Sequence, residues 1–91
     1  MQKHHQRLEG KVAVVTGGAG GIGSATVRLF AEHGASVVVV DIQEKPARDL
    51  ICRLTEKGMS AVFTYADITN PQQARAVHDR VMAEFGHLDI I

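Results

Sequence analysis

The chain has 91 residues, 45% apolar and 22% charged, which supports one buried core, is too short for two domains and is too apolar for disorder. Ten basic and ten acidic side chains cancel to a formal net charge of zero, and neither sign forms a block that would mark a nucleic-acid backbone or an anionic membrane as partner. The one cysteine, Cys52, has no partner for an internal disulfide, and no apolar run approaches the ~20 residues of a membrane span or resembles a secretory leader; the expected setting is reducing and cytoplasmic.

Residues 1–10, MQKHHQRLEG, are polar and basic and read as a lead-in from which Leu8 touches the core. His4 and His5 are adjacent but have no Cys, Asp or further His nearby, so solvated side chains are expected and a metal is not. Val12 to Thr16 is short, apolar and rich in branched residues, the pattern of a strand buried on both faces. Helical spacing follows from about Ile22 to His33, with Ile22, Thr26, Leu29, Phe30 and His33 on one face and Gly34 placed to end the helix.

Ser36 to Val40 is a second buried strand. The next helix carries Pro46 in its first turn, an inward stripe of Ala47, Leu50, Ile51 and Leu54, and Gly58 just past its end. Cys52 falls off that stripe with no base beside it, which favours an inert surface thiol over a nucleophile. Ser60 to Tyr65 gives a third strand and Ala66-Asp67-Ile68-Thr69 a polar corner. Asn70 then caps a third helix, Pro71 takes its first position, and Gln73 is placed to reach back to the cap. Ala74, Val77, His78, Val81 and Phe85 form its inward stripe, His78 as a packed histidine, and Gly86 ends it; Leu88 to Ile91 opens like a fourth strand.

Strands alternating with helices of this length imply right-handed crossovers. The expected fold is α/β, a doubly wound parallel sheet of the Rossmann type. It is truncated to the first βαβαβαβ half, one incomplete dinucleotide-binding domain over residues 1–91 with strand order 3-2-1-4. A ligand site is expected where the carboxyl ends of the first two strands meet.

The stretch Lys11 to Asp41 carries that site. A pyrophosphate must approach backbone N–H groups closely, so the turn leaving the first strand needs small residues and should feed a helix N-terminus. In TGGAGGIG, Thr16 to Gly23, Gly17 makes the tight turn, Gly21 lets the backbone near the phosphates and Gly23 lets the helix pack close to the sheet. Ala19 and Ile22 contribute backbone amides and small apolar walls. Asp41, at the end of the second strand, suits the adenosine ribose hydroxyls and repels a 2′-phosphate. Neither Gly20 nor Ile42, beside it at the site, supplies a positive charge, and Lys45 and Arg48 are the nearest cations, so NAD is preferred over NADP.

TGGAGGIG is similar to the TGxxxGIG signature of the short-chain dehydrogenase/reductase family. The resemblance extends from Leu8 to Ile91 through LEGKVAVVTGGAGGIG, VVVVD, the Asp67-Ile68 corner and GHLDII. It implies an NAD-dependent oxidoreductase acting on a small-molecule alcohol or ketone, homo-oligomeric in full-length relatives. By the same resemblance Asp67 hydrogen-bonds the adenine amino group, the Ile68 backbone meets the ring, the Ile22 amide meets the pyrophosphate, and the Thr16 hydroxyl ties the turn to neighbouring backbone.

Family members continue past the fourth strand with NNAG, a catalytic Ser and a Tyr-x-x-x-Lys pair. The only tyrosine here, Tyr65, has Thr69 where that pattern places lysine, so no catalytic residue is assigned. The alternatives are a non-catalytic nucleotide-binding module and an inactive truncated product. A phosphate loop of the GxxxxGK type is excluded because no lysine follows Gly23. A methyltransferase also suits an acid after the second strand, but the glycine spacing places it far behind.

Overall fold

The computed structural model describes residues 7–90. Valine-rich runs lose little by extending and gain by packing on a pleated surface. They form the three strands β1 (Val12–Thr16), β2 (Ser36–Asp41) and β3 (Ala61–Tyr65), each followed by a helix, α1 (Gly21–Glu32), α2 (Glu44–Glu56) and α3 (Pro71–Phe85). β2 pairs in parallel with both others, Val12 to Thr16 lying opposite Ser36 to Val40 and Val37 to Asp41 opposite Ala61 to Tyr65. The spatial order is β1-β2-β3.

Side-chain alternation along the strands divides the core into two layers. Val37, Val39 and Ala61 pack with Val27 and Ala31 of α1 and Ala47, Leu50 and Leu54 of α2, and the partly buried Leu8 joins them. Val12, Val14, Val38 and Val40 pack on the other face with Val77 and Val81 of α3. Helices therefore cover both faces of the sheet, the doubly wound arrangement expected from the alternation of elements.

Where the sequence opens like a fourth strand, Ile90 makes a single parallel bridge to Ala13 among the described residues; elsewhere the structure departs from the sequence reading in three places. The Val14 N–H donates to the Ile90 carbonyl over 2.9 Å and the Ile90 N–H to the Val12 carbonyl over 3.1 Å. The bridge lies on the edge of β1 away from β2 and is pinned by the Asp89 carboxylate, which accepts from the Val12 N–H at 2.9 Å. One residue pair is a bridge and not a ladder.

The spacing puts Ile22, Thr26, Leu29, Phe30 and His33 on one face of α1, but that face is not the buried one: Val27 and Ala31 are buried and Phe30 packs partly buried against the same core, while Ile22 is 88% and Leu29 52% exposed. The reason is steric. A methyl group on Gly23 would collide with the Gly17 carbonyl, so α1 lies too close to the strand end for a large side chain. The row Gly23, Val27, Ala31 lies beneath it, with Phe30 partly buried beside that row.

His78, read as packed, is an exposed residue whose Nδ1 lies 3.6 Å from the Asp79 carboxylate. Gln73 does not reach back to Asn70 but further, to the Asp67 N–H. The cap itself forms as read: Asn70 Oδ1 accepts from the N–H groups of Gln72 (2.9 Å) and Gln73 (3.3 Å). Strand and helix ends otherwise differ from the expected ones by about one residue, β2 running on to Asp41 and β3 starting at Ala61.

Leu50 is 1% exposed at the centre of the α1–α2 layer, so Leu50→Ala is expected to cost about 2–5 kcal/mol through lost transfer energy and the cavity left behind. Asn70→Ala strips one helix cap and is expected to cost about 1 kcal/mol. Urea unfolding followed by circular dichroism measures both, and a smaller loss for Leu50→Ala than for Asn70→Ala would contradict this description of the core.

Candidate functional site

The sheet's carboxyl edge gathers three loops, one after each strand. In the first, Gly17 adopts a left-handed conformation, φ +67°, which a side chain would strain. Its N–H donates to the Val40 carbonyl over 2.8 Å, and its carbonyl accepts from the Gly20 N–H over 3.1 Å. The turn then enters α1 through Gly20, an extended N-cap with no side chain to offer.

What this leaves at the head of α1 is a set of unused donors. The first intrahelical partner is Ser24, whose N–H reaches the Gly20 carbonyl over 2.7 Å. Among the described residues, no protein acceptor takes the N–H groups of Gly21, Ile22 or Gly23, and the first turn carries no acid. Such donors, aligned with the positive end of the helix dipole, form an anion site. Space is left for an anion to reach them, since a methyl group built on Gly21 meets nothing within 4 Å.

Beside the turn stands Asp41, at the end of β2. Its Oδ2 accepts from the Ala19 N–H at 3.0 Å and its Oδ1 from the Gln43 N–H at 3.0 Å. The carboxylate thus joins the first two loops and keeps lone pairs on both oxygens for hydroxyl donors. The cations considered for a 2′-phosphate are engaged elsewhere on α2: Lys45 with Asp49 at 3.3 Å and Arg48 with Glu44 at 2.7 Å.

The third loop presents Asp67. Its Oδ1 accepts from both the Thr69 N–H (3.0 Å) and the Thr69 hydroxyl (2.6 Å), and these bonds hold its carboxyl below the ordinary range. Exposed isoleucines mark the same edge. Ile22, Ile42 and Ile68 are 88%, 57% and 43% exposed, and each lies just after a different strand. Large apolar residues left in water at one edge of a sheet suit a flat apolar ligand face.

The structure therefore collects Gly17, Ala19, Gly21, Ile22, Gly23, Asp41, Ile42, Asp67 and Ile68 at one edge of the sheet. Thr16 does not act as expected: it is exposed, and among the described residues its hydroxyl makes no hydrogen bond. The turn is tied down by the Gly17 and Ala19 N–H groups instead. Cys52 is exposed beside Glu56, whose charge raises its pKa, so the thiol lacks the activation of a nucleophile. His4 and His5 lie outside the described residues, and among the described ones no three His, Cys, Asp or Glu side chains are grouped to hold a metal. No helix among them is long and apolar enough to cross a membrane.

Two contributors escaped the sequence reading. Gly18 is buried, and a methyl group there would sit 2.8 Å from Val39 Cγ1 and 3.3 Å from Val27 Cγ2; its doubling with Gly17 was the available signal. Thr69 was read as part of a corner, although a hydroxyl two residues after an aspartate is a familiar turn partner.

Comparison with known proteins places this geometry in context. The family model for short chain dehydrogenases matches residues 11–91. The chain is 48% identical over 86 residues to (+)-borneol dehydrogenase 1 of Salvia officinalis, covering 94% of this chain and 32% of that protein. A hydroxysteroid dehydrogenase from Escherichia coli superposes with a TM-score of 0.88 at 34% identity, covering 99% of this chain and 38% of that one. A short chain dehydrogenase/reductase from Burkholderia phymatum, solved in complex with NAD, gives 0.87 at 28% identity over 91% of this chain and 30% of that one. The chain thus spans about a third of the length of these relatives.

Two substitutions separate the glycines by role. Gly23→Ala drives a methyl group into backbone and is expected to destabilise the fold by about 1–3 kcal/mol, whereas Gly21→Ala enters open space and should be neutral or gain up to about 1 kcal/mol in urea unfolding. A further expectation concerns acid. Asp67 is depressed in the folded state, so the stabilisation it brings is present above the ordinary carboxylate range and is lost as the pH falls through the depressed value. Thr69→Val removes the hydroxyl and should move the Asp67 titration upward, as followed by carboxyl NMR; an unmoved titration would show that the hydroxyl is not the cause.

Proposed function

The chain belongs to the short chain dehydrogenase family, and on that premise we propose that it binds the ADP part of NAD in an oxidoreductase acting on an alcohol or ketone. One observation carries this reading: three unpartnered N–H groups stand at the head of α1, and the Asp41 carboxylate at the end of the adjacent strand grips the turn that leads into them. An anion site next to an acceptor for neighbouring hydroxyls matches the order of groups in a ribose pyrophosphate.

The residues divide the task. The N–H groups of Gly21, Ile22 and Gly23 take the pyrophosphate oxygens, Asp41 takes the ribose hydroxyls, and Asp67 with the Ile68 backbone takes the adenine. Ala19 presents its small side chain and its braced amide, Gly17 sets the turn, and Ile42 supplies apolar cover near the ribose. When bound, the nicotinamide supplies the hydride acceptor or donor. These residues bind and orient that carrier, and we assign none of them the proton transfer at a substrate oxygen.

NAD is preferred to NADP on electrostatic grounds. A 2′-phosphate would face the Asp41 carboxylate, and the nearby Lys45 and Arg48 already serve carboxylates on α2. The relatives include a dehydrogenase named for borneol and a structure holding NAD, which supports the alcohol or ketone class and the cofactor.

Calorimetry tests the reading. ADP-ribose is expected to bind nearly as well as NAD, and nicotinamide mononucleotide, which lacks the adenosine half, far more weakly; failure of ADP-ribose to bind would refute the assignment. Asp41→Asn keeps an acceptor for the Ala19 N–H but removes the charge, and should reduce the preference for NAD over NADP by about tenfold, equivalent to about 1.4 kcal/mol. Gly21→Ala, neutral for stability, should weaken both dinucleotides.

A further inference from the structure

Asp67 is held from four directions, and one of them comes from a residue with no assigned role. The residue before it, Ala66, is buried in the α3 layer, and its N–H reaches the Asp41 carbonyl only at 3.4 Å, where the β2–β3 ladder ends. The Asp67 carbonyl accepts from the Asn70 N–H at 3.1 Å. Its Oδ1 takes both Thr69 donors. Its own N–H donates to Gln73 Oε1 over 2.7 Å, a short bond reaching across the corner from the first turn of α3.

The last of these bonds completes the hold on the residue. Thr69 grips the carboxylate and Asn70 the outgoing carbonyl. The bond to Gln73 fixes the plane of the peptide entering Asp67, because an amide N–H lies in the plane of its peptide, and with the peptides on both sides of the Cα held, the Cα–Cβ bond has one direction. Gln73 is itself well placed to act as a brace, since its N–H is capped by Asn70 at 3.3 Å and its helix is anchored through Val77 and Val81.

A carboxylate only accepts hydrogen bonds. Aimed at a base, it favours one that offers an amino group and disfavours one that offers a carbonyl oxygen at the same position. We infer that Gln73 is a positioning residue for base selection, aiming Asp67 so that the site takes adenine and rejects a base with a carbonyl in place of the exocyclic amine. This rests on the reading of Asp67 as the adenine contact.

The test uses NAD and its hypoxanthine analogue, which differ at that one position, in calorimetric titrations of the chain. Wild type is expected to favour NAD by about tenfold or more, the usual value of a hydrogen bond to a charged group. Asp67→Asn, which also carries a donor, should shift the preference toward the hypoxanthine form. Gln73→Ala should lower the NAD preference by about threefold to tenfold, mainly through weaker NAD binding, and Gln73→Glu, which keeps an acceptor for the Asp67 N–H, should restore it.

The outcomes separate the two claims. A wild-type chain without preference, or an Asp67→Asn variant with the wild-type ratio, overturns the assignment of Asp67 and the role of Gln73 with it. An Asp67-dependent preference that Gln73→Ala leaves intact, or lowers equally for both ligands, overturns the role of Gln73 alone. Hydrogen exchange of the unliganded chain gives an independent reading: Gln73→Ala should speed exchange of the Asp67 amide by about threefold or more and leave the Val39 amide in β2 unchanged, and equal protection at Asp67 would overturn the brace.

Discussion

The closeness of α1 to the end of β1 is the constraint on which the rest of this structure depends. Gly23 lies where any side chain would meet the Gly17 carbonyl, and Gly18 lies against Val39 and Val27. Backbone packs on backbone here because three glycines permit it. The first N–H groups of α1 have no protein partner among the described residues, and the turn that leads into them is held by the carboxylate that terminates β2. An ordinary side chain at either contact would lift the helix and separate the donors from Asp41.

The same closeness dictates what the core can contain. Val27 and Ala31 are the buried residues of α1 against the sheet, with Phe30 partly buried beside them, whereas α2 buries Leu50 and Leu54. Small residues under the first helix are thus a consequence of the turn chemistry and not an economy of the core. Ile22, outside that contact, stands in water in the first turn of α1, where its apolar surface is open to a ligand.

The third loop is built on a different plan. The first loop is open, with donors facing outward, while the corner after β3 is closed upon itself: Asp67, Thr69, Asn70 and Gln73 satisfy one another through four hydrogen bonds between side chains and backbone or side chain. Rigidity there comes from polar bonds at an exposed site and not from burial. An open donor set and a fixed acceptor suit their targets, because an anion can be met by several amides whereas a base is distinguished at one position.

Much of this was legible in the residues alone. Branched runs announced the strands, glycine and the Asn-Pro pair announced the helix ends, and the glycine run announced the turn into α1, because these signals act through neighbouring backbone and need no distant partner. The inward face of α1, the reach of Gln73 to Asp67 and the exposure of His78 were not legible. Each depends on how near one element lies to another, and apolar periodicity ranks faces by hydrophobicity without knowing the gap they must fill. Only the packed structure shows that the gap under α1 admits no side chain at Gly23, that Val27 and Ala31 therefore turn inward ahead of Ile22 and Leu29, and that Asp41 grips the turn leading into that helix.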